Sequence, residues 1–126
     1  MRDVRWWTGL GLVGALLLAG CEPVADNEER VTIFDFHYSP AHVRVKPGET
    51  VRVLNMDTAP HSVTSAPAAG RLVPGKSDGI AFDTGAFMGE ERTFTVPADA
   101  APGAVVPFFC TVHHDFQHGV GRLIVE

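Results

Sequence analysis

The chain contains few cysteines, no excess of positive charge and no long hydrophobic run. Only two of its 126 residues are cysteine, and they are too far apart for the C-x₂₋₄-C spacing of structural zinc sites. Lysine and arginine number 10 against 15 acidic residues, and the net charge of −5 argues against binding to nucleic acid or anionic lipid headgroups. No phosphate-binding loop, nucleophile–base set or paired carboxylates are recognisable, so the sequence does not predict an enzyme of the usual kind.

The N-terminal hydrophobic run is short. It follows Arg2 and Arg5 and extends over residues 9–19, whereas a membrane span needs about 20 apolar residues. The pattern therefore predicts a signal peptide over residues 1–20. Residues 18–21 resemble the lipobox of bacterial lipoproteins, which implies lipidation of Cys21 and a protein anchored to a membrane in the periplasm or cell envelope. The alternative is an ordinary secretory signal in which Cys21 is incidental.

Processing at this point defines the rest of the chain. Residues 21–30 are polar and acidic, which predicts a flexible tether, and residues 31–126 have the length of one folded domain. Loss of Arg2, Arg5 and Asp3 leaves 8 basic and 14 acidic residues, so the processed chain carries a net charge of −6. We expect a monomer that has no nucleic-acid partner and that contacts the membrane through its lipid.

The domain consists of short β-prone runs separated by proline and glycine, without a helical period. The predicted strands cover residues 31–36, 42–46, 50–55, 61–65, 80–83, 91–96, 105–110 and 120–125. Alternating runs on either side of Pro47 and Gly48 predict a hairpin of the second and third strands. Seven or eight short strands predict an all-β, largely antiparallel sandwich.

Histidines cluster around Cys110. His113 and His118 follow it on one loop, and His61 begins a predicted strand further upstream. Because the loop joins two strand ends, these side chains can meet at one end of the sandwich. A thiolate with two imidazoles is typical of blue copper centres, although zinc accepts the same atoms. Cys110 has two other interpretations, a disulfide with Cys21 or a buried unreactive thiol.

Together with flanking motifs, these residues resemble the cupredoxins of the plastocyanin, amicyanin and pseudoazurin group. The motifs are Tyr38–Pro40, Val45–Val51, Asn55–Asp57, His61–Thr64, Phe109–His113 and Gly121–Val125. The resemblance covers residues 31–126. It implies a cupredoxin-like Greek-key β-sandwich, one type 1 copper ion, and His61, Cys110 and His113 as equatorial ligands.

The fourth ligand departs from the resemblance, because no methionine follows Cys110. His118 is the predicted axial ligand, and the amide oxygen of Gln117 is the alternative. An imidazole is a stronger donor than a thioether and favours Cu(II). We therefore expect a green or red centre with a relatively low reduction potential.

Asn55 is a candidate for supporting the copper site from behind its ligands. Its side chain could tie the His61 loop to the Cys110 loop by hydrogen bonds, and such outer contacts tune metal sites. The alternative is an asparagine that simply ends a strand.

Three functions are compatible with this pattern. The first is electron transfer between redox proteins of the cell envelope, where membrane attachment would raise the effective concentration of the carrier near its partners. The second is copper handling or tolerance, which six histidines and a site favouring Cu(II) would suit. The third is a mononuclear copper enzyme, which needs an open coordination position and is therefore possible only if His118 does not bind.

Overall fold

The structure, a computed structural model, describes residues 28–113 and 120–126, which form eight β-strands. These are β1 (Glu28–Phe34), β2 (His37–Ser39), β3 (His42–Val45), β4 (Thr50–Asn55), β5 (Thr64–Ser65), β6 (Glu91–Thr95), β7 (Val105–Phe109) and β8 (Val120–Val125). They form two four-stranded sheets, with the orders β2-β1-β4-β6 and β3-β8-β7-β5. The predicted all-β sandwich is confirmed. Within the described residues, no helix is long and apolar enough to span a bilayer.

Alternating side chains build the core between the two sheets. Every second residue of β3 and β4 is buried, and most of these residues are valines, which suit a pleated, half-buried surface. The most deeply buried aliphatic residues are Val31, Ile33, Val43, Val45, Val51, Val53, Val63, Ile80, Val96, Val106, Leu123 and Val125. Each such side chain contributes roughly 1.5–3 kcal/mol through burial.

The predicted hairpin of β3 and β4 is wrong, because the two strands belong to different sheets. β3 pairs in parallel with β8, whereas β4 pairs in parallel with β1 and antiparallel with β6. The alternating valines of both strands lie in the one core that the two sheets share. The connection turns at Gly48, which has a φ of +84° and donates its N–H to Val96 and Pro97. Each sheet is therefore mixed, with one parallel pair.

The first strand begins and ends earlier than predicted. β1 starts at Glu28, inside the predicted 21–30 tether, because residues 28–30 pair with residues 50–52 of β4. It ends at Phe34, and Asp35 and Phe36 then adopt positive φ angles of 52° and 63°. This tight turn leads into β2, which the sequence pattern did not predict. The predicted strands at 61–65 and 80–83 shorten to β5 and isolated bridges.

Gly121 allows β8 to pack closely against its neighbours. It is paired opposite Phe108 of β7. A Cβ atom at this position would lie 2.5 Å from the Phe108 ring and 2.7 Å from the carbonyl oxygen of Ala41. Any side chain here would therefore displace the aromatic ring or the backbone.

Strand register brings three chain segments to one end of the sandwich. Ile33 pairs with Asn55, so β1 and β4 finish side by side. Phe109 pairs with Thr64 and with Val120, so β7 finishes where β5 and β8 begin. We call this the site end, and it comprises residues 34–36, 55–61 and 110–113.

Candidate metal centre

Cys110 lies immediately after the last residue of β7. Its thiol is free and only 2% of the residue is exposed. The pairing of Phe109 on both sides holds the end of the strand, so the sulfur has a defined position beneath the site end. The alternative in which Cys110 forms a disulfide is not what the structure shows.

His61 approaches the sulfur from the segment between β4 and β5. It is 2% exposed, and its backbone forms an antiparallel bridge with Phe87. The N–H of His61 donates to the Phe87 carbonyl at 3.2 Å, and the N–H of Phe87 donates back at 3.0 Å. The His61 ring places Nδ1 3.7 Å from Cys110 Sγ.

His113 is half-buried and completes the group from the loop after β7. Its Nδ1 atom lies 3.8 Å from Cys110 Sγ and 3.2 Å from His61 Nδ1. The ring of Phe36 packs edge-on against both imidazoles, with centroid distances of 5.0 Å to His61 and 4.9 Å to His113. A nonpolar side chain therefore covers one side of the group.

The spacing of the three ligand atoms fits a transition metal. The three atoms are separated by 3.7, 3.8 and 3.2 Å, so an ion equidistant from them in their plane would lie about 2.1 Å from each. Metal–nitrogen bonds of about 2.0–2.1 Å and metal–sulfur bonds of about 2.3 Å are usual in such sites. Within the described residues, His61, Cys110 and His113 are the group of ligands close enough to share one ion.

The chemistry of these donors favours copper. One soft thiolate with two imidazoles in a trigonal arrangement is the donor set of a type 1 copper centre. The thiolate suits Cu(I), the imidazoles suit both oxidation states, and the burial of Cys110 and His61 keeps bulk water away. Cys110, His61 and His113 would hold the ion, and the ion would supply one-electron redox chemistry.

Ser62 links the two ligand segments. Its hydroxyl accepts the N–H of Thr111 at 3.0 Å and lies 3.0 Å from the Thr111 hydroxyl. The Tyr38 hydroxyl donates to the carbonyl of Ser62. Burial, and secondarily the charge of nearby Cys110, raises the pKa of Tyr38, so the phenol stays neutral and remains a donor.

Asn55 supports the His61 segment, and its predicted hydrogen bonds to the Cys110 loop are not found in the described part of that loop, residues 110–113. Its amide nitrogen donates to the carbonyls of Ala59 and Phe87, both at 2.8 Å, and its oxygen accepts the N–H of Asp57 at 2.9 Å. The link to the Cys110 loop comes from Ser62 instead. Within residues 28–113 and 120–126, the short side chain at the end of β4 bonds to its own loop and to the neighbouring Phe87.

Asp57 is a residue of the site that sequence reasoning left without a role. Its carboxylate lies 2.7 Å from His61 Nε2, on the side of the ring away from the sulfur. Burial acts to raise the pKa of Asp57, but the hydrogen bonds that the carboxylate accepts outweigh it and hold the pKa below its usual value. Asp57 stands four residues before His61 in the sequence, and that spacing was the available signal.

Other predicted site residues lie outside the described part of the chain. These are Cys21, the predicted lipidation site, and His118 and Gln117, the two candidate axial ligands. Their predicted roles stay predictions.

Comparison with solved structures identifies the class. An oxidised amicyanin variant matches with a TM-score of 0.58 and 25% identity, covering 82% of this chain and 86% of amicyanin. A reduced amicyanin variant matches at 26% identity over the same shares, with a TM-score of 0.58. A purple cupredoxin from Nitrosopumilus maritimus matches with a TM-score of 0.60 and 20% identity, covering 78% of this chain and 99% of that one. Fold and site together define a cupredoxin-like type 1 copper protein.

The sequence model of a family described as copper-binding proteins of the plastocyanin/azurin family matches residues 25–126. The chain belongs to this family of copper-binding proteins. Its cofactor is a single copper ion, as the sequence predicted, and its general function is electron transfer to and from redox partners.

Proposed function

We propose that this protein is a one-electron carrier of the cell envelope, anchored to a membrane by lipid on Cys21. The observation that carries the proposal is the convergence of Cys110, His61 and His113 within a buried, hydrogen-bonded end of the sandwich. A site held in place by strand pairing changes little when copper gains or loses an electron. Small structural change is what rapid electron exchange requires.

The proposed route for the electron passes through His113. This ligand is half-buried, whereas His61 and Cys110 are each 2% exposed. Its neighbour Val112 is exposed, as are Met56, which follows Asn55, and Met88, which follows the bridge partner of His61, Phe87. Exposed nonpolar side chains near a redox centre suit brief contact with a redox protein, since transient encounters use small interfaces.

The envelope location can be tested through Cys21. We expect the full chain, expressed in a bacterial host with lipoprotein processing, to incorporate labelled palmitate and to fractionate with membranes. Cys21→Ser should abolish both. A wild-type chain that stays unlabelled and soluble in the periplasmic fraction would contradict lipid anchoring without touching the copper site.

The proposed axial ligand is His118. In the copper-loaded full chain, His118→Met should raise the midpoint potential and shift the strongest visible absorption toward that of a blue centre, because a thioether donates less to Cu(II) than an imidazole. Gln117→Leu is the matched control and should leave both quantities unchanged. The opposite pattern would make Gln117 the axial ligand.

Electron self-exchange and midpoint potential of the copper-loaded full chain in detergent test the carrier function. We expect an intense sulfur-to-copper charge-transfer band, absent in Cys110→Ser, and rapid self-exchange. Slow exchange, combined with copper hypersensitivity of a strain that lacks the protein, would contradict the carrier and support copper handling. Catalytic turnover with oxygen or nitrogen oxides would instead indicate an enzyme.

A further inference from the structure

The carboxylate of Asp57 lies against the nitrogen of His61 that faces away from Cys110. Oδ2 is 2.7 Å from His61 Nε2, and the Asp57 side chain is only 11% exposed. An ionised carboxylate accepts hydrogen bonds and donates none, so this contact selects the His61 tautomer with its proton on Nε2. Nδ1 is then left with its lone pair, within reach of the point shared with Cys110 and His113.

The same carboxylate holds the turn between β1 and β2. Oδ1 accepts the N–H of Asp35 at 2.6 Å, and Oδ2 accepts the N–H of Phe36 at 3.0 Å. Both turn residues have positive φ, which is uncommon for residues other than glycine and persists where the surroundings support it. Asp57 supplies that support.

The turn between β1 and β2 also positions the ring of Phe36. The ring lies nearly perpendicular to the imidazoles of His61 and His113, at interplanar angles of 90° and 86°. Edge-on packing of this kind restricts rotation of the imidazoles and excludes water from their faces. Asp57 therefore contacts one imidazole directly and influences the other through Phe36.

The negative charge of Asp57 has a redox consequence that a neutral hydrogen bond would not have. A carboxylate behind a metal-bound imidazole increases the basicity of that ligand. A nearby anion also stabilises Cu(II) more than Cu(I), because the interaction energy scales with the charge of the ion. Both effects lower the reduction potential.

We propose that Asp57 is a positioning residue of the copper centre, which fixes the tautomer and orientation of His61 and lowers the reduction potential. The inference rests on the copper function of the site and deepens it by assigning a separate residue to the tuning of the metal. No role in binding copper directly is required of the Asp57 oxygens.

The tautomer can be tested without copper. Long-range ¹H–¹⁵N correlation spectra of the metal-free full chain in detergent should show His61 with a protonated Nε2 and an unprotonated Nδ1. A proton on Nδ1 instead would overturn the proposal. This readout does not depend on electron transfer, so it can fail or succeed independently of the carrier function.

The redox effect can be tested by substitution. Asp57→Asn preserves the size of the side chain and removes its charge, and Asp57→Glu preserves the charge. Asp99→Asn is the control, because it removes the same charge from an exposed loop that follows β6, near Gly48 and away from the site end. All three are compared in midpoint potential, copper affinity and visible spectrum.

We expect Asp57→Asn to weaken Cu(II) binding about tenfold relative to Cu(I), which for one electron raises the potential by about 59 mV. Asp57→Glu should retain more of the wild-type potential, and Asp99→Asn should retain it fully. Equal potentials and spectra in Asp57→Asn and Asp99→Asn would overturn the proposal. If Asp57→Asn does not fold, the wild-type tautomer decides the question. Slow electron exchange with these results intact would contradict only the carrier function.

Discussion

His61 and His113 present the same ring nitrogen to the same point, but the protein holds them in different ways. His61 is buried, is paired through its backbone to Phe87, and has Asp57 behind its ring. His113 is half-buried, three residues beyond Cys110, on a loop bonded to Ser62 through Thr111. The comparison shows a division of work in the site. A backbone bridge to Phe87 sets one imidazole, and a short loop delivers the other to the surface.

The largest expected effect is a difference in how far added imidazole can replace each histidine, because the two differ in their access to solvent. In His113→Gly, added imidazole should enter from the surface and restore the copper charge-transfer band. In His61→Gly, it should not, because the vacated position is buried and Asp57 is left without its partner. The lost charged hydrogen bond should also cost roughly 2 kcal/mol of unfolding free energy.

Titration of both copper-loaded variants with imidazole, followed by visible absorption, measures this difference. Wild-type chain with the same additions is the control for competition by imidazole itself. Equal rescue of the two variants would show that the two sides of the site are equally accessible.

A smaller effect is expected from removing the hydrogen bonds on each side in turn. Asn55→Ala removes the hydrogen bonds donated to the carbonyls of Ala59 and Phe87 and the one accepted from the N–H of Asp57, which should lower the unfolding free energy by about 2–3 kcal/mol. Ser62→Ala removes one hydroxyl that contacts Thr111, with an expected loss of about 1 kcal/mol. Thermal unfolding of the metal-free chains gives both values.

The spectra of the same variants sharpen the comparison. Asn55→Ala acts on the His61 segment, whereas Ser62→Ala acts on the segment that carries Cys110 and His113. We expect both to broaden the copper charge-transfer band, with Asn55→Ala costing more stability. A greater loss of stability in Ser62→Ala would mean that the Cys110 loop, and not the His61 segment, anchors the site.

The smallest expected effect concerns Tyr38, which donates to Ser62 beneath both segments. Its pKa is raised by folding, so above the ordinary phenol value of about 10 the unfolded chain loses a proton that the folded chain retains. Stability should therefore fall as the pH rises beyond that value.

Tyr38→Phe should remove this part of the alkaline dependence while lowering stability at neutral pH by about 1 kcal/mol, for the lost hydrogen bond. Urea denaturation at neutral pH and at alkaline pH checks both expectations. An unchanged alkaline slope in the variant would show that another group controls it.

Much of the fold could be predicted because it follows from local alternation. β3 and β4 alternate buried residues with exposed or half-buried ones, β8 does so over its last four residues, and the predicted bounds of all three agree with the structure to within a residue. Pairing could not be predicted in the same way. The valines of β3 and β4 suit a hairpin and two facing sheets equally well, and the difference lies in their partners, which are β8 for β3 and β1 and β6 for β4.

The site shows the same division. Cysteine and histidine are recognisable as metal ligands by residue type, so the sequence predicts that His61, Cys110 and His113 meet. Asp57 and Phe36 have no such signature. Their roles depend on a turn at Asp35 with left-handed backbone angles and on the parallel register of β1 with β4. The contacts of Asp57 with Asp35 and Phe36 join distant segments, which no local pattern indicates, whereas its contact with His61 spans only four residues of sequence.

The close packing at Gly121 connects the interior of the sandwich to the absorption of the copper site. The aromatic ring that packs over that glycine belongs to Phe108 of β7, two positions before Cys110. A side chain added at Gly121 would displace the Phe108 ring and, through the two residues that follow, the sulfur of Cys110. The absorption of the copper–sulfur bond depends on its length and angle, so it should change with that displacement. The visible absorption of the copper-loaded protein should therefore report changes in packing around Gly121.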